Sequence, residues 1–201
     1  MYCADDGHHE QPPQQPTANA VVDPITGNSL EYRHLIKGPN AAHWTQGNIN
    51  EIGRLTDGRV GTSGKGTNTM FFRPHTALPA GRTATYLQVV SSYRPQKADP
   101  YRIRWTVGGN RIDYPGNITT PTADMTTAKL LINSTISTQD ARFMGIDIKD
   151  FYLNMPMARS EYMWIPTDML PPSVMEAYQL HSLVHKGRVL VEIQKGMYDL
   201  P

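Results

Sequence analysis

The spacing of apolar residues changes period along the chain, and each change predicts an element. Leu30, Leu35 and Ile36 predict a short helical segment stopped by Gly38-Pro39. Thr45 is placed to cap a second helix, in which Ile49, Ile52 and Leu55 lie on one face that packs on a sheet. Met70-Phe71-Phe72 and the stretch with Tyr86, Leu87, Val89 and Val90 read as strands, with Pro79-Ala80-Gly81 turning between them. In Tyr101–Val107 the pattern alternates, with Arg102 and Arg104 on one face and Ile103, Trp105 and Val107 on the other. Met125, Ala128, Leu131 or Ile132, and Ile136 then space as one helical face, capped by Thr122 and expected in the core. From Phe143 the period falls to two: Met144, Ile146 and Ile148 share a face, opposite Phe143, Gly145 and Asp147, which predicts a short strand. Glu161–Pro166 and Arg188–Ile193 read as strands, and a helix over Ser173–Leu180 follows Pro171-Pro172.

Composition narrows the class. In 201 residues, 39% are hydrophobic and 18% charged, enough for one domain with a core. Sixteen glycines and sixteen prolines call for many turns. The net charge of +1 excludes a general polyanion binder, so any basic patch is local. One such patch runs from Arg94 to Arg111, where Arg94, Lys97, Arg102, Arg104 and Arg111 face a single acid, Asp99. It reads either as a solvated strand face or as a phosphate-binding one, since arginine forks match phosphate oxygens. The single cysteine, Cys3, forms no internal disulfide and no metal cluster. No apolar run reaches the roughly 18 residues of a membrane span. The acidic N-terminus (Asp5, Asp6, Glu10) does not read as a signal peptide, so the sequons at Asn117 and Asn133 carry no meaning. Residues 1–28, with Gln11-Pro12-Pro13-Gln14-Gln15-Pro16, read as a disordered lead-in.

Several local strings suggest chemistry and fail on spacing. His8-His9-Glu10 reads as solvated tail. Gly64-Lys65-Gly66-Thr67 lacks the spacing of a phosphate loop and reads as a plain loop. Tyr2-Cys3-Ala4-Asp5-Asp6 is a coincidence of composition. Asp147 is different. An acid inside an apolar strand costs free energy unless its charge is used. It either caps a strand-to-helix junction or holds a cation.

The string Asp147-Ile148-Lys149-Asp150-Phe151-Tyr152-Leu153-Asn154 resembles the first catalytic block of retroelement reverse transcriptases, especially those of copia type. The resemblance extends over about residues 29–201: the helix with Trp44, Glu51-Ile52 and Leu55; the basic hairpin with Arg102 and Arg104 closed by Gly108-Gly109; Asp113-Tyr114-Pro115 with Thr119–Ala123; Glu161-Tyr162-Met163; and Lys195-Gly196-Met197-Tyr198. Phe151 stands where the family has a small residue, and Asp199 where it has glycine. If that position needs a positive φ, aspartate tolerates it less well than glycine.

What this resemblance implies is specific. The fold is α+β: fingers over about 58–121 and the first part of the palm over about 122–201 of a right-hand polymerase, mostly antiparallel, behind the lead-in. Asp147 is the catalytic metal ligand, joined by the backbone carbonyl of Ile148. The ions are two Mg²⁺, with Mn²⁺ as a substitute, stabilising attacking and leaving oxygens. Arg104 holds the incoming triphosphate, supported by Arg102 or Lys97, and Tyr152 lies under the sugar and excludes a 2′-hydroxyl. Arg94 and Arg111 contact nucleic acid. Implied partners are an RNA or DNA template-primer, deoxynucleotides and the rest of a Pol polyprotein with integrase and RNase H, with no membrane. The implied location is intracellular: cytoplasmic in a virus-like particle, or nuclear, and not secreted. The chain stops before the Tyr-x-Asp-Asp block that supplies the other carboxylates, so it is expected to be an inactive fragment alone. The alternative is a non-catalytic nucleic-acid-binding module or a degenerate retroelement remnant, resting on the Arg94–Arg111 patch.

Overall fold

The computed structural model describes residues 21–23, 25–62, 64–112 and 124–200. Cys3, Tyr2-Cys3-Ala4-Asp5-Asp6, His8-His9-Glu10 and the Pro/Gln run lie outside the described residues. So do Asp113-Tyr114-Pro115, Thr119–Ala123 with the cap expected at Thr122, and the sequon at Asn117.

Two helices come first, α1 (Tyr32–Leu35) and α2 (Ala41–Leu55). Thr45 lies inside α2 and does not cap it, since the helix starts directly after Gly38-Pro39-Asn40, with Asn40 at the cap position. Proline interrupts a helix, so Pro39 sets the boundary. The buried stripe of α2 runs through Trp44, Gly47, Asn48, Glu51, Ile52 and Leu55, a helical period on one side. Two members are polar, and both are satisfied. Asn48 Oδ1 accepts from the Trp105 indole at 2.7 Å, and its amide donates to Tyr32 Oη and to the Met169 carbonyl, both at 2.9 Å. Glu51 accepts from the backbone N–H of Trp105 at 3.2 Å. Buried polar groups without such partners would cost about 1–3 kcal/mol each.

The partner of α2 is a five-stranded mixed sheet. Its strands are β1 (Met70–Arg73), β2 (Thr85–Tyr93), β3 (Tyr101–Val107), β4 (Pro156–Pro166) and β5 (Arg188–Lys195), in the spatial order β1-β5-β4-β2-β3. All pairings are antiparallel except the seam between β2 and β4, which is parallel and joins only Thr85 to Met163 and Tyr86 to Trp164. The protein is therefore α+β, with a curled sheet that takes strands from both halves of the chain. In β3 the alternation holds: Ile103, Trp105 and Val107 are buried, while Arg102 and Arg104 are half-buried on the other side. The core gathers these three with Ile52 and Leu55 of α2, Met163 and Ile165 of β4, and Val189, Val191 and Ile193 of β5. A short helix, α5 (Pro172–Ala177), starts on Pro172 and closes the core with Val174.

Two expectations are corrected. The helix over 125–137 forms as α3 (Met125–Ser137), but none of its residues is buried: Met125, Leu131 and Ile136 are exposed. Local chemistry is enough to start it, because Asp124 caps it by accepting from the Thr127 N–H at 2.6 Å. The strand expected at 143–148 is absent. The segment pairs with no other described residue, and Met144, Ile146 and Ile148 stay exposed. A period of two marks an apolar face, but a strand also needs a neighbour for its N–H and C=O groups. After this segment the chain turns at Asp150, in the left-handed region with φ +55°, into α4 (Phe151–Asn154), whose Leu153 is buried. Phe151, where the resemblance expects a small residue, is exposed and meets Tyr152 edge-on at 5.6 Å.

Gly47 sets how closely α2 lies on β3, since a Cβ built there would stand 2.4 Å from the Tyr101 carbonyl oxygen. Gly47→Val is expected to lower stability by about 1–3 kcal/mol by prying the helix off the strand. Urea unfolding measures this, and an unchanged midpoint would show that the contact can relax.

Candidate functional site

The close approach of α2 to β3 forms one wall of a cavity of about 870 Å³. From α2 come Gly47, Asn50, Glu51 and Arg54; from β2, β3 and their turn come Arg94, Asp99, Arg102, Ile103 and Arg104. The segment Asp147–Tyr152 makes the facing wall, and Tyr198 joins from the C-terminal stretch. Backbone bonds fix that stretch: the Val107 N–H donates to the Tyr198 carbonyl at 3.1 Å, and the Gly196 N–H to the Met155 carbonyl at 2.8 Å.

One arginine holds the two walls together. Arg54 forms a two-pronged pair with Glu51 one turn back at 2.7 and 2.9 Å, and its remaining nitrogen reaches Asp150 at 2.7 Å. Glu51 is almost fully buried, and the other two are largely so. Burial works against the Arg54 charge, but the Glu51 carboxylate outweighs it and the guanidinium pKa is raised. The Asp147–Lys149 segment is thereby tied to the helix through Asp150, three residues on.

The cavity's other charges are unevenly matched. With Arg54 committed to Glu51 and Asp150, the cations Arg94, Arg102, Arg104 and Lys149 outnumber the acids Asp99 and Asp147. Burial, then the like charges of Arg104, Arg94 and Arg54, push the Arg102 pKa below its ordinary value. Arg94 Nε is buried and finds no hydrogen-bond partner among the described residues. Arg104 lies over the Tyr198 ring at 4.4 Å, a contact that orients it without neutralising it. Crowded, partly dehydrated guanidiniums of this kind gain from a multiply charged anion.

Of the residues expected from sequence, Asp147, Ile148, Tyr152, Arg102, Arg104 and Arg94 all line this one cavity, although more than 40 positions separate Arg104 from Asp147. Lys97 and Arg111 do not line it. Lys97 is exposed in the turn between β2 and β3, where its N–H bonds the Arg94 carbonyl, and Arg111 lies over the Tyr86 ring at 5.0 Å. Sequence reasoning missed Arg54, Glu51, Asp150 and Tyr198 as site residues. The one available signal was Glu51 and Arg54 three apart on a predicted helix, the spacing of an ion pair.

For a divalent metal, Asp147 is exposed and in no ion pair with a described residue, and the Ile148 carbonyl adjoins it, so one hard-oxygen pair is at hand. Among the described residues no group of three or more His, Cys, Asp or Glu stands close enough to hold an ion. Glu51 and Asp150 are engaged by Arg54. These residues do not make a complete two-ion centre. Among the described residues, no helix is long and apolar enough to cross a membrane. Comparison with family models, with curated proteins and with solved structures returns no match.

Arg54→Met leaves Glu51 buried without its cation and is expected to cost about 3 kcal/mol, while the double change with Glu51→Gln recovers part of this. Chemical denaturation of the single and double variants measures it; additive losses would show that the pair is not coupled. Asp199 has φ +65°, so Asp199→Gly is expected to raise stability by about 0.5–1 kcal/mol, read as a higher melting temperature. A lower melting temperature would mean that the aspartate side chain contributes more than the strain costs.

Proposed function

We propose that this chain is part of a copia-type reverse transcriptase and contributes the triphosphate-binding half of its catalytic centre. The observation that carries the reading is the convergence of Arg102, Arg104, Arg94, Tyr152 and Asp147 on one cavity with cations in excess. Arg102 and Arg104 project from the same strand face and suit the oxygens of a triphosphate, with Arg94 beside them. Tyr152, largely exposed at the rim, offers a flat surface to a sugar or base. Asp147 stands opposite the arginines and supplies one carboxylate of the several that nucleotidyl transfer by magnesium requires. In this reading the remaining donors come from further palm residues. The exposed apolar faces of α3 and of residues 143–148 fit that arrangement, since a palm sheet without its other strands leaves such surface uncovered. The fingers-and-palm division and the retrotransposon origin belong to the same proposal.

A purely nucleic-acid-binding module is the weaker reading. It draws on the whole Arg94–Arg111 patch, whereas the fold divides that patch between the cavity and the Tyr86 ring.

Binding of a fluorescent deoxynucleoside triphosphate in EDTA tests the half-site. Arg102→Ala and Arg104→Ala are each expected to weaken it about tenfold, the loss of one charge-assisted contact. Asp147→Asn is expected to leave metal-free binding equal or tighter and to remove any gain from added Mg²⁺. Triphosphate binding indifferent to both arginines would overturn the assignment. Primer extension by the 201-residue chain alone, lost in Asp147→Asn, would overturn the half-site reading in favour of a complete enzyme.

A further inference from the structure

The two acids on Arg54 are not held alike. Its Nε and Nη2 donate to Glu51 at 2.9 and 2.7 Å, while Nη1 donates to Asp150 at 2.7 Å. Glu51 is fixed. It lies on the same helix, its side chain is 5% exposed, and it also accepts the Trp105 N–H. Asp150 is held less firmly. Its side chain is 19% exposed, and the residues before it, 139–148, are exposed and pair with no strand among the described residues. Its backbone is left-handed at φ +55°, uncommon for a residue with a Cβ. It stands at the N-cap position of α4, where a carboxylate ordinarily accepts a helix N–H, yet its side chain makes no capping bond. Asp150 thus has a second use for its carboxylate once Arg54 lets it go: extended backbone and a cap on α4.

Arg54 and Asp150 both line the cavity that holds Arg94, Arg102 and Arg104. The four guanidiniums act on one another there: after burial, the charges of Arg104, Arg94 and Arg54 are what hold Arg102 below its ordinary pKa. The Asp150 carboxylate answers one of these cations from within the chain. We propose that Asp150 is an internal stand-in for the ligand: it occupies Arg54 while the cavity is empty, and a polyphosphate gripped by the neighbouring arginines displaces it and takes Arg54 as a further contact. The tether makes the exchange selective. A carboxylate on the same chain competes at high effective concentration, so only an anion already anchored by Arg102 and Arg104 displaces it. Displacement also unties the Asp147–Lys149 segment from α2, so ligand entry releases the wall that carries Asp147. This rests on the reading of the cavity as a polyphosphate site and adds the regulation of that site.

Calorimetric titration of the chain with inorganic tripolyphosphate in EDTA is the test. Asp150→Asn keeps a residue that tolerates left-handed backbone and leaves the Glu51–Arg54 pair in place. With the internal competitor gone, it is expected to bind about tenfold tighter, the gain of one charge-assisted contact. Asp150→Gly, which suits φ +55°, should do the same. Asp99→Asn removes an equal charge from the cavity without touching Arg54 and serves as the control for net charge. Its gain should be smaller and should fade in about 0.5 M salt, where the Debye length is about 4 Å, while the gain from Asp150→Asn persists. An equal gain from Asp99→Asn overturns the stand-in, because charge alone would account for the effect. Unchanged or weaker binding to the Asp150 variants also overturns it, and so does a tripolyphosphate complex of the unaltered chain in which Arg54 still bonds Asp150. In those cases the cavity reading stands as long as Arg102→Ala and Arg104→Ala weaken binding. No tripolyphosphate binding, or binding indifferent to those two changes, overturns both.

Discussion

The pairing of one guanidinium with two carboxylates from distant parts of the chain governs this structure. Glu51 and Arg54 lie one turn apart on α2, and Asp150 lies 96 residues beyond Arg54. Glu51 also accepts the backbone N–H of Trp105, so it binds helix to strand, while the arginine it holds binds helix to loop through Asp150. Its location explains its weight. The exposed pair Arg33–Asp168 has half of each side chain in water and is worth at most about 1 kcal/mol. Glu51 is almost out of reach of water, so losing its partner strands a charge in the interior. The arrangement is therefore less a source of net stability than a constraint on alternatives. Any movement of the 147–150 segment away from α2 must break a largely dehydrated ion pair.

That constraint sorts the remaining charges. By absorbing two carboxylates on one arginine, the triad keeps both away from Arg94, Arg102 and Arg104. The close contact at Gly47 then holds the same helix against the strand that carries Arg102 and Arg104. Crowded like charges are tolerated because the hydrophobic face behind them, Ile103, Trp105 and Val107, is fixed by core packing. The core supplies the free energy, and the surface of β3 carries the electrostatic strain. A compact anion with several charges would relieve that strain, which is the ground for proposing a triphosphate here rather than a general basic surface.

Periodicity exposed what depends on one element and its immediate environment. The alternation in β3 placed Arg102 and Arg104 together, and the third-residue spacing placed Ile52 and Leu55 of α2 in the core. It failed where a pattern needs a partner. Met144, Ile146 and Ile148 alternate, and Leu131 and Ile136 lie on a helix, yet nothing among the described residues covers them. An apolar face states a preference for burial; only the rest of the fold meets it. The clamp was illegible for a related reason. Glu51 and Arg54 look like an ordinary surface pair, worth a few tenths of a kcal/mol on an isolated helix. Burial by β3 and the arrival of Asp150 change its meaning, and neither is written near those residues. Lys97 and Arg111 show the converse. They count toward a basic patch in the sequence, but the turn after β2 and the Tyr86 ring take them elsewhere.

The cavity and the outer face of the sheet differ in how each holds its cations. In the cavity, Arg102 sits against Arg104, Arg94 and Arg54, with a single ring, Tyr198, beneath Arg104. Like charges crowd there, which favours a ligand of concentrated charge. On the outer face each arginine has its own ring, Arg111 on Tyr86 and Arg188 on Trp164, and the parallel seam sets the rings side by side. Charge there is spread out, each guanidinium held on a ring of its own. The narrow β2–β4 seam is common to both. It fixes Tyr86 beside Trp164 on one face of the sheet, and it anchors the strand whose hairpin partner carries Arg102 and Arg104.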